Sequence, residues 1–212
     1  MTNRSAAEAK IHNIEMMGRD LGELYDALWQ QLAWLHRKWE EYVALFARSP
    51  ERIELLNRAA PAFFRIVQDS LFEDVLLHVA RLTDKAETFG KPNLTILRLP
   101  QNMTRASARE AAELAITDAI KATDFCRDWR NRHIAHRDLD LACGTGAKPL
   151  LPASREKVSL ALKALSNALN VVAQHYLDTT TFFEFDGGFG GAENLVRILD
   201  DGVKARELRL RV

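Results

Sequence analysis

Cysteine is scarce in this sequence. Cys126 and Cys143 are the only two in 212 residues. That is too few for a disulfide framework, so a reducing compartment, the cytoplasm, is the expected setting. Net charge is missing as well, because 29 basic and 29 acidic side chains balance. A general nucleic-acid coat needs a strongly basic surface to displace counterions, and that class is excluded. A small basic site in a neutral body is not. No window approaches the roughly 18 uncharged apolar residues of a membrane-spanning helix, so no membrane partner is expected. The opening MTNRSAAEAKIHN lacks the apolar stretch of a secretion signal. Internal repeats and low-complexity tracts are absent.

What is present is helical periodicity. The chain is 47% hydrophobic and 27% charged, ordinary values for a globular protein with a real core. At this length one domain is expected over 1–212, with a core of about 10–183 and an extra C-terminal helix of about 191–206. After Pro152, Ser154 is a candidate N-cap. Val158, Leu162, Leu165, Leu169, Val172 and Tyr176 then recur at spacings of four and three, one apolar seam on a long helix. That seam suits either a core or a dimer face.

Leu21, Leu24, Leu28, Leu32, Leu35, Trp39 and Val43 form a similar stripe on a helix predicted over roughly 5–47. Gly18 and Gly22 weaken its start, at about 1 kcal/mol each relative to alanine. Ser49 and Pro50 open a second helix, and Pro61 interrupts it before a run to about Asp84. KAETFGKPN is a loop, and NLTILRLP is one helical turn capped by Asn93. A further helix is predicted over about 106–136, then a long loop, RDLDLACGTGAKPLLPA. FEFDGGFGG is a glycine-rich break, and TTTFFEF the only β-like run. The sum is an all-α, up-and-down bundle of about four main helices with shorter additions.

The chemistry-bearing residues concentrate in WRNRHIAHRDLD, Trp129–Asp140. Three readings compete. A metal site would use His133 and His136 with Asp138 or Asp140, but the flanking arginines repel a cation and no HExxH pattern is present. Phosphate chemistry is the second. An arginine fork grips phosphate oxygens, and a histidine titrating near neutrality moves protons, so together they can cleave RNA without metal or other cofactor. The third is a solvated helix end, where cations complement the dipole. On an ideal helix Arg130, His133, Ile134 and Arg137 fall within about 100° of each other, whereas His136 lies about 120° from Arg130. The two converge only if the arginine bends round, the helix ends there, or a second subunit supplies one partner.

RNRHIAHRD resembles the R-x(4–6)-H motif of the HEPN superfamily, with Arg130, Asn131 and His136 in the matching places. HVARLTD and GKPNLTILRL, together with the long N-terminal helix and its tryptophans, resemble the abortive-infection U-type (AbiU-like) branch over about 10–205. The resemblance implies a helical bundle, a homodimer with facing motifs, and a metal-independent ribonuclease acting as a toxin or phage-defence effector. RNA would be its substrate and an antitoxin a further partner. It also implies roles: His136 as acid–base residue, Arg130 as phosphate binder, Asn131 as orienting residue. Many members of this superfamily are inactive and only bind nucleotides, RNA or partners, which is the alternative. Arg127 and His133 offer a rival register with the same gap. Asn131 and Ala135 fit the Arg130–His136 register better, leaving His133, Arg127 and Asp138 in support. Arg81 and Asp84 form either a helix-end ion pair or a contact to the motif helix. His78, on an apolar face, reads as a core histidine.

Overall fold

The computed structural model describes residues 4–184 and 190–210. Its long helices are α1 (Ala6–Met17), α2 (Arg19–Phe46), α3 (Pro50–Ala59), α4 (Pro61–Leu82), α5 (Ala106–Trp129), α7 (Arg155–Leu177) and α8 (Ala192–Leu210). A single turn, α6, spans Leu139–Cys143, and a two-residue hairpin pairs β1 (Glu87–Thr88) with β2 (Lys91–Pro92). The chain is an all-α bundle, as the periodicity predicts. It divides into two compact units, the chain up to Trp34 with Leu76–Phe183, and Leu35–Val75 with the chain from Glu184 onward. The boundaries fall inside α2 and α4.

The first unit carries the motif. Its centre is the packing of α5 on α7. Ala112, Ala115 and Ala119 of α5, and Ala161 and Ala168 of α7, are buried small residues that let the backbones approach closely. The predicted α7 seam is buried throughout, from Val158 to Tyr176. Each of its leucines contributes about 1.5–3 kcal/mol by leaving water. Ser154 caps α7 by accepting from the Lys157 amide at 3.2 Å. At the far end the Tyr176 hydroxyl accepts from the amides of Thr104 and Arg105, at 3.2 and 3.4 Å. The start of α5 therefore meets the end of α7, and the two run antiparallel. Leu114, on the outer face of α5, is 68% exposed.

The predicted first helix is two helices. Gly18, at φ 82°, ends α1 and begins the reversal into α2. A Cβ on Gly22 would stand 2.6 Å from the Ile14 Cα. These glycines are thus not defects in one helix. One makes a corner, and the other lets α1 lie backbone-to-backbone against α2. The Asn93 cap is also corrected. Thr95 caps the short turn Ile96–Arg98, while the Asn93 amide donates to the Lys85 carbonyl and Thr88 Oγ1 at 2.9 and 2.7 Å, closing the hairpin loop.

In the second unit α8 packs on α3. Ala44, Leu45, Leu56, Phe64 and Ala192 form its core. Arg52 grips Glu193 with both terminal nitrogens, at 2.9 and 3.0 Å, and holds that carboxyl below the usual glutamate range. Ser49 and Pro50 open α3 as predicted, the Ser49 hydroxyl accepting from the Arg52 amide. The last helix extends four residues beyond the predicted end at 206. Of the TTTFFEF run, residues 179–184 form no strand and Phe185 lies outside the described residues, as does most of the glycine-rich break. Among the described residues no helix is long and apolar enough to cross a membrane.

Candidate active site

The motif sits where α5 loses its α-helical geometry. From Arg130 to Ile134 the chain widens into a π turn, closed by the Ala135 amide donating to the Arg130 carbonyl at 2.8 Å. Such turns are rare and recur at functional sites. The Asp138 amide then donates to the Arg132 carbonyl at 3.1 Å. The helix predicted to continue to 136 therefore stops at Ile134, and His136 lies beyond it in the bend. The helix thus ends between Arg130 and His136, so the 120° separation of an ideal helix does not apply to this pair.

Two neighbouring segments fix this helix end. One is the end of α4, the RLTD block. Arg127 Nη2 donates to the Thr83 carbonyl at 2.7 Å, and the Thr123 hydroxyl meets the buried Thr83 hydroxyl at 3.3 Å. Arg130 Nη1 contacts Asp84 Oδ2 at 2.5 Å, with side chains only 19% and 28% exposed. Asp84 thus makes the contact to the motif helix, the second of the two readings of this block. The other segment is the loop after α6. The Leu151 amide donates to Asp128 and the Trp129 indole to the Leu151 carbonyl, both at 2.8 Å. Arg132 Nη2 reaches the Lys148 carbonyl at 2.5 Å. Asp128 and Leu151 are the positions that sequence reasoning missed. An acid one residue before a motif tryptophan carries no signal of a partner more than twenty residues away.

Each candidate residue can now be placed. Arg130 is half-buried, held by Asp84 and by its own neighbour, its Nε donating to Asn131 Oδ1 at 3.0 Å. Asn131 therefore orients the guanidinium. His136 is exposed, and among the described residues its ring has no hydrogen-bond partner. Arg127 is committed to the Thr83 carbonyl, and His133 lies edge-on to the Trp129 ring at 5.3 Å. Asp138 accepts from the Leu141 amide at 3.0 Å to cap α6, and from Arg132 at 3.4 Å. The amide first, then Arg132, holds the Asp138 carboxyl below the usual aspartate range. Cys126 is fully buried, its thiol pushed up to about 12 by burial, so it is inert packing. Among the described residues no group of three or more His, Cys, Asp or Glu side chains is arranged to hold a metal ion.

Beside Asp84 opens a pocket of about 320 Å³, whose walls include Gln31, His78, Arg81, Asp84, Asn93 and Leu94. Arg130 thus approaches one side of a carboxylate whose other side faces a cavity.

The motif and the segments that surround it lie within the stretch that matches a known family. A family profile described as AbiU2, within the HEPN group, matches residues 19–194. The chain belongs to the HEPN AbiU2 family. The match spans α2 to the start of α8 and so includes both compact units. No curated protein and no solved structure matches the chain.

Proposed function

We propose that this HEPN protein is a metal-independent endoribonuclease, acting in the cytoplasm as a toxin or phage-defence effector. The observation that carries the reading is the contrast between the two registers. Arg127 is committed to the Thr83 carbonyl and His133 lies against Trp129, whereas His136 is exposed past the helix end and the Arg130 guanidinium is held by Asn131 and Asp84.

In this mechanism His136 takes the proton from a ribose 2′-OH. The oxygen attacks the adjacent phosphorus, the O2′–P bond forms and the P–O5′ bond breaks. Arg130 holds the phosphoryl oxygens as their charge grows. The leaving 5′ oxygen also needs a proton. A symmetric homodimer supplies the second histidine by setting two motifs in one cleft. A toxin of this kind would be held in check by an antitoxin.

The test is expression of wild type and His136→Ala in growing cells. Growth arrest with RNA fragmentation is expected for wild type alone; equal effects, or none, would reject the reading.

One observation favours a second reading, a non-catalytic module binding RNA or nucleotides. The Arg130 charge is already compensated by Asp84 in a half-buried pair, which lowers its pull on phosphate. Wild-type protein that binds RNA and never cuts it would decide for this reading.

A further inference from the structure

The pocket beside Arg130 has the chemistry of a base-recognition site. Its two charged walls, Arg81 and Asp84, lie three residues apart in sequence and are opposite in charge. Asp84 offers a carboxylate, whose Oδ1 accepts from the Lys85 amide at 3.1 Å and whose Oδ2 accepts from Arg130. Each oxygen retains a further lone pair. Arg81 is exposed, and among the described residues its guanidinium has no partner, so its fork of donors is unspent. Leu94, 40% exposed, gives an apolar surface for a ring face, and the Gln31 and Asn93 amides complete the rim. At about 320 Å³ the space lies near the lower end of small-ligand sites.

One nucleobase matches an acceptor pair facing a donor fork. Guanine carries two adjacent donors, N1–H and N2–H, and on another edge two adjacent acceptors, O6 and N7. The carboxylate suits the first edge and the arginine fork the second. Adenine presents an acceptor at N1, which a carboxylate repels, and a donor at N6, which a guanidinium cannot accept. Cytosine pairs adjacent acceptors, N3 and O2, with a single donor group at N4, and uracil carries one donor, N3–H, between two acceptors, so neither offers the two adjacent donors that the carboxylate would read. We infer that this pocket binds a guanine base of single-stranded RNA, with Asp84 reading its donors, Arg81 reading O6 and N7, and the 3′-phosphate of the same nucleotide on Arg130. The assignment deepens the ribonuclease reading and rests on it for the source of the guanine. It makes Arg81 a specificity residue, with no part in bond cleavage.

The experiment is equilibrium binding of guanosine 3′-monophosphate, guanosine 5′-monophosphate and adenosine 3′-monophosphate to the full-length protein. Wild type, Arg81→Ala and Arg81→Lys are compared, because Arg81 is exposed and the lysine keeps the charge without the fork. The guanosine 3′-phosphate should bind about tenfold or more tighter than the adenosine one, and both substitutions should remove that preference. Equal binding of the two bases, or a preference that survives Arg81→Ala, overturns the inference. Tighter binding of the 5′-phosphate would assign the pocket to a free nucleotide and overturn the RNA source.

Cleavage-site mapping separates this inference from the reading it rests on. His136-dependent cutting with no guanine preference defeats the pocket and leaves the ribonuclease. An Arg81-dependent guanine preference in a protein that never cuts RNA defeats the ribonuclease and leaves the pocket.

Discussion

Asp84 Oδ2 lies 2.5 Å from Arg130 Nη1, an ion pair that spans 46 residues of sequence and joins the end of α4 to the motif. It fixes where the guanidinium points. In the proposed mechanism it also competes with the RNA phosphate for that guanidinium. Both effects belong to one carboxylate, so variants at Asp84 separate them.

Asp84→Ala should lower stability by about 1–2 kcal/mol, more than an exposed pair would, because it leaves a half-buried arginine without its partner. Asp84→Asn keeps a hydrogen-bond acceptor and should lose less. Urea unfolding measures both. If Asp84 positions Arg130, Asp84→Ala should also lower kcat for RNA cleavage, with the asparagine variant between it and wild type. A stability loss with unchanged kinetics would reduce Asp84 to a structural tie.

Gly22, at the helix corner, and Gly202, in α8, should respond with opposite signs to the same substitution. At Gly22 an added Cβ meets the Ile14 backbone at 2.6 Å, so Gly22→Ala should destabilise by about 1–3 kcal/mol. At Gly202, inside α8, an added Cβ meets nothing within 4 Å. Gly202→Ala should therefore stabilise by roughly 0.4–1 kcal/mol. Denaturation midpoints of the two variants test the pair, and a stabilised Gly22→Ala would contradict the close approach.

Asp138 predicts a local acid response. Its folded value is depressed below the ordinary 3.8, chiefly by the Leu141 amide and then by Arg132. Stability from a depressed carboxylate is present above the ordinary value and lost as pH falls through the folded one. Protection of the Leu141 amide, its exchange measured relative to the intrinsic rate at each pH, should therefore hold down to about pH 4 and fall below it. Asp138→Ala should show low protection at all pH values. Protection lost already near neutrality would show that the cap does not depend on this carboxylate.

Most of the helical frame was legible in the sequence because it rests on period and caps. The Val158–Tyr176 seam, the Ser49 and Ser154 caps and the break at Pro61 all express local rules. Where sequence and structure differ, a long-range or non-α contact decides. Helix propensity counts Gly22 as a weak point, while its role is set by Ile14 on another helix. Asn93 stands at a cap position, yet its partners are Lys85 and Thr88. A uniform 100° step carries the helix through 136, and the π turn at Arg130 ends it. At the site, the spacing of Arg130, Asn131 and His136 stood out, as did the RLTD block. The pairing of Asp84 with Arg130 and the clasp of Leu151 on Asp128 are long-range contacts that no local pattern encodes.

In the proposed mechanism Arg130 and His136 cut RNA without a metal ion. The direct measurement is the product ends formed by purified wild type and His136→Ala on a defined RNA in excess chelator. Fragments ending in a 2′,3′-cyclic phosphate and a 5′-hydroxyl, formed by wild type and absent from a folded His136→Ala protein, are the predicted result. Cleavage that persists in His136→Ala, or that the chelator stops, would contradict it.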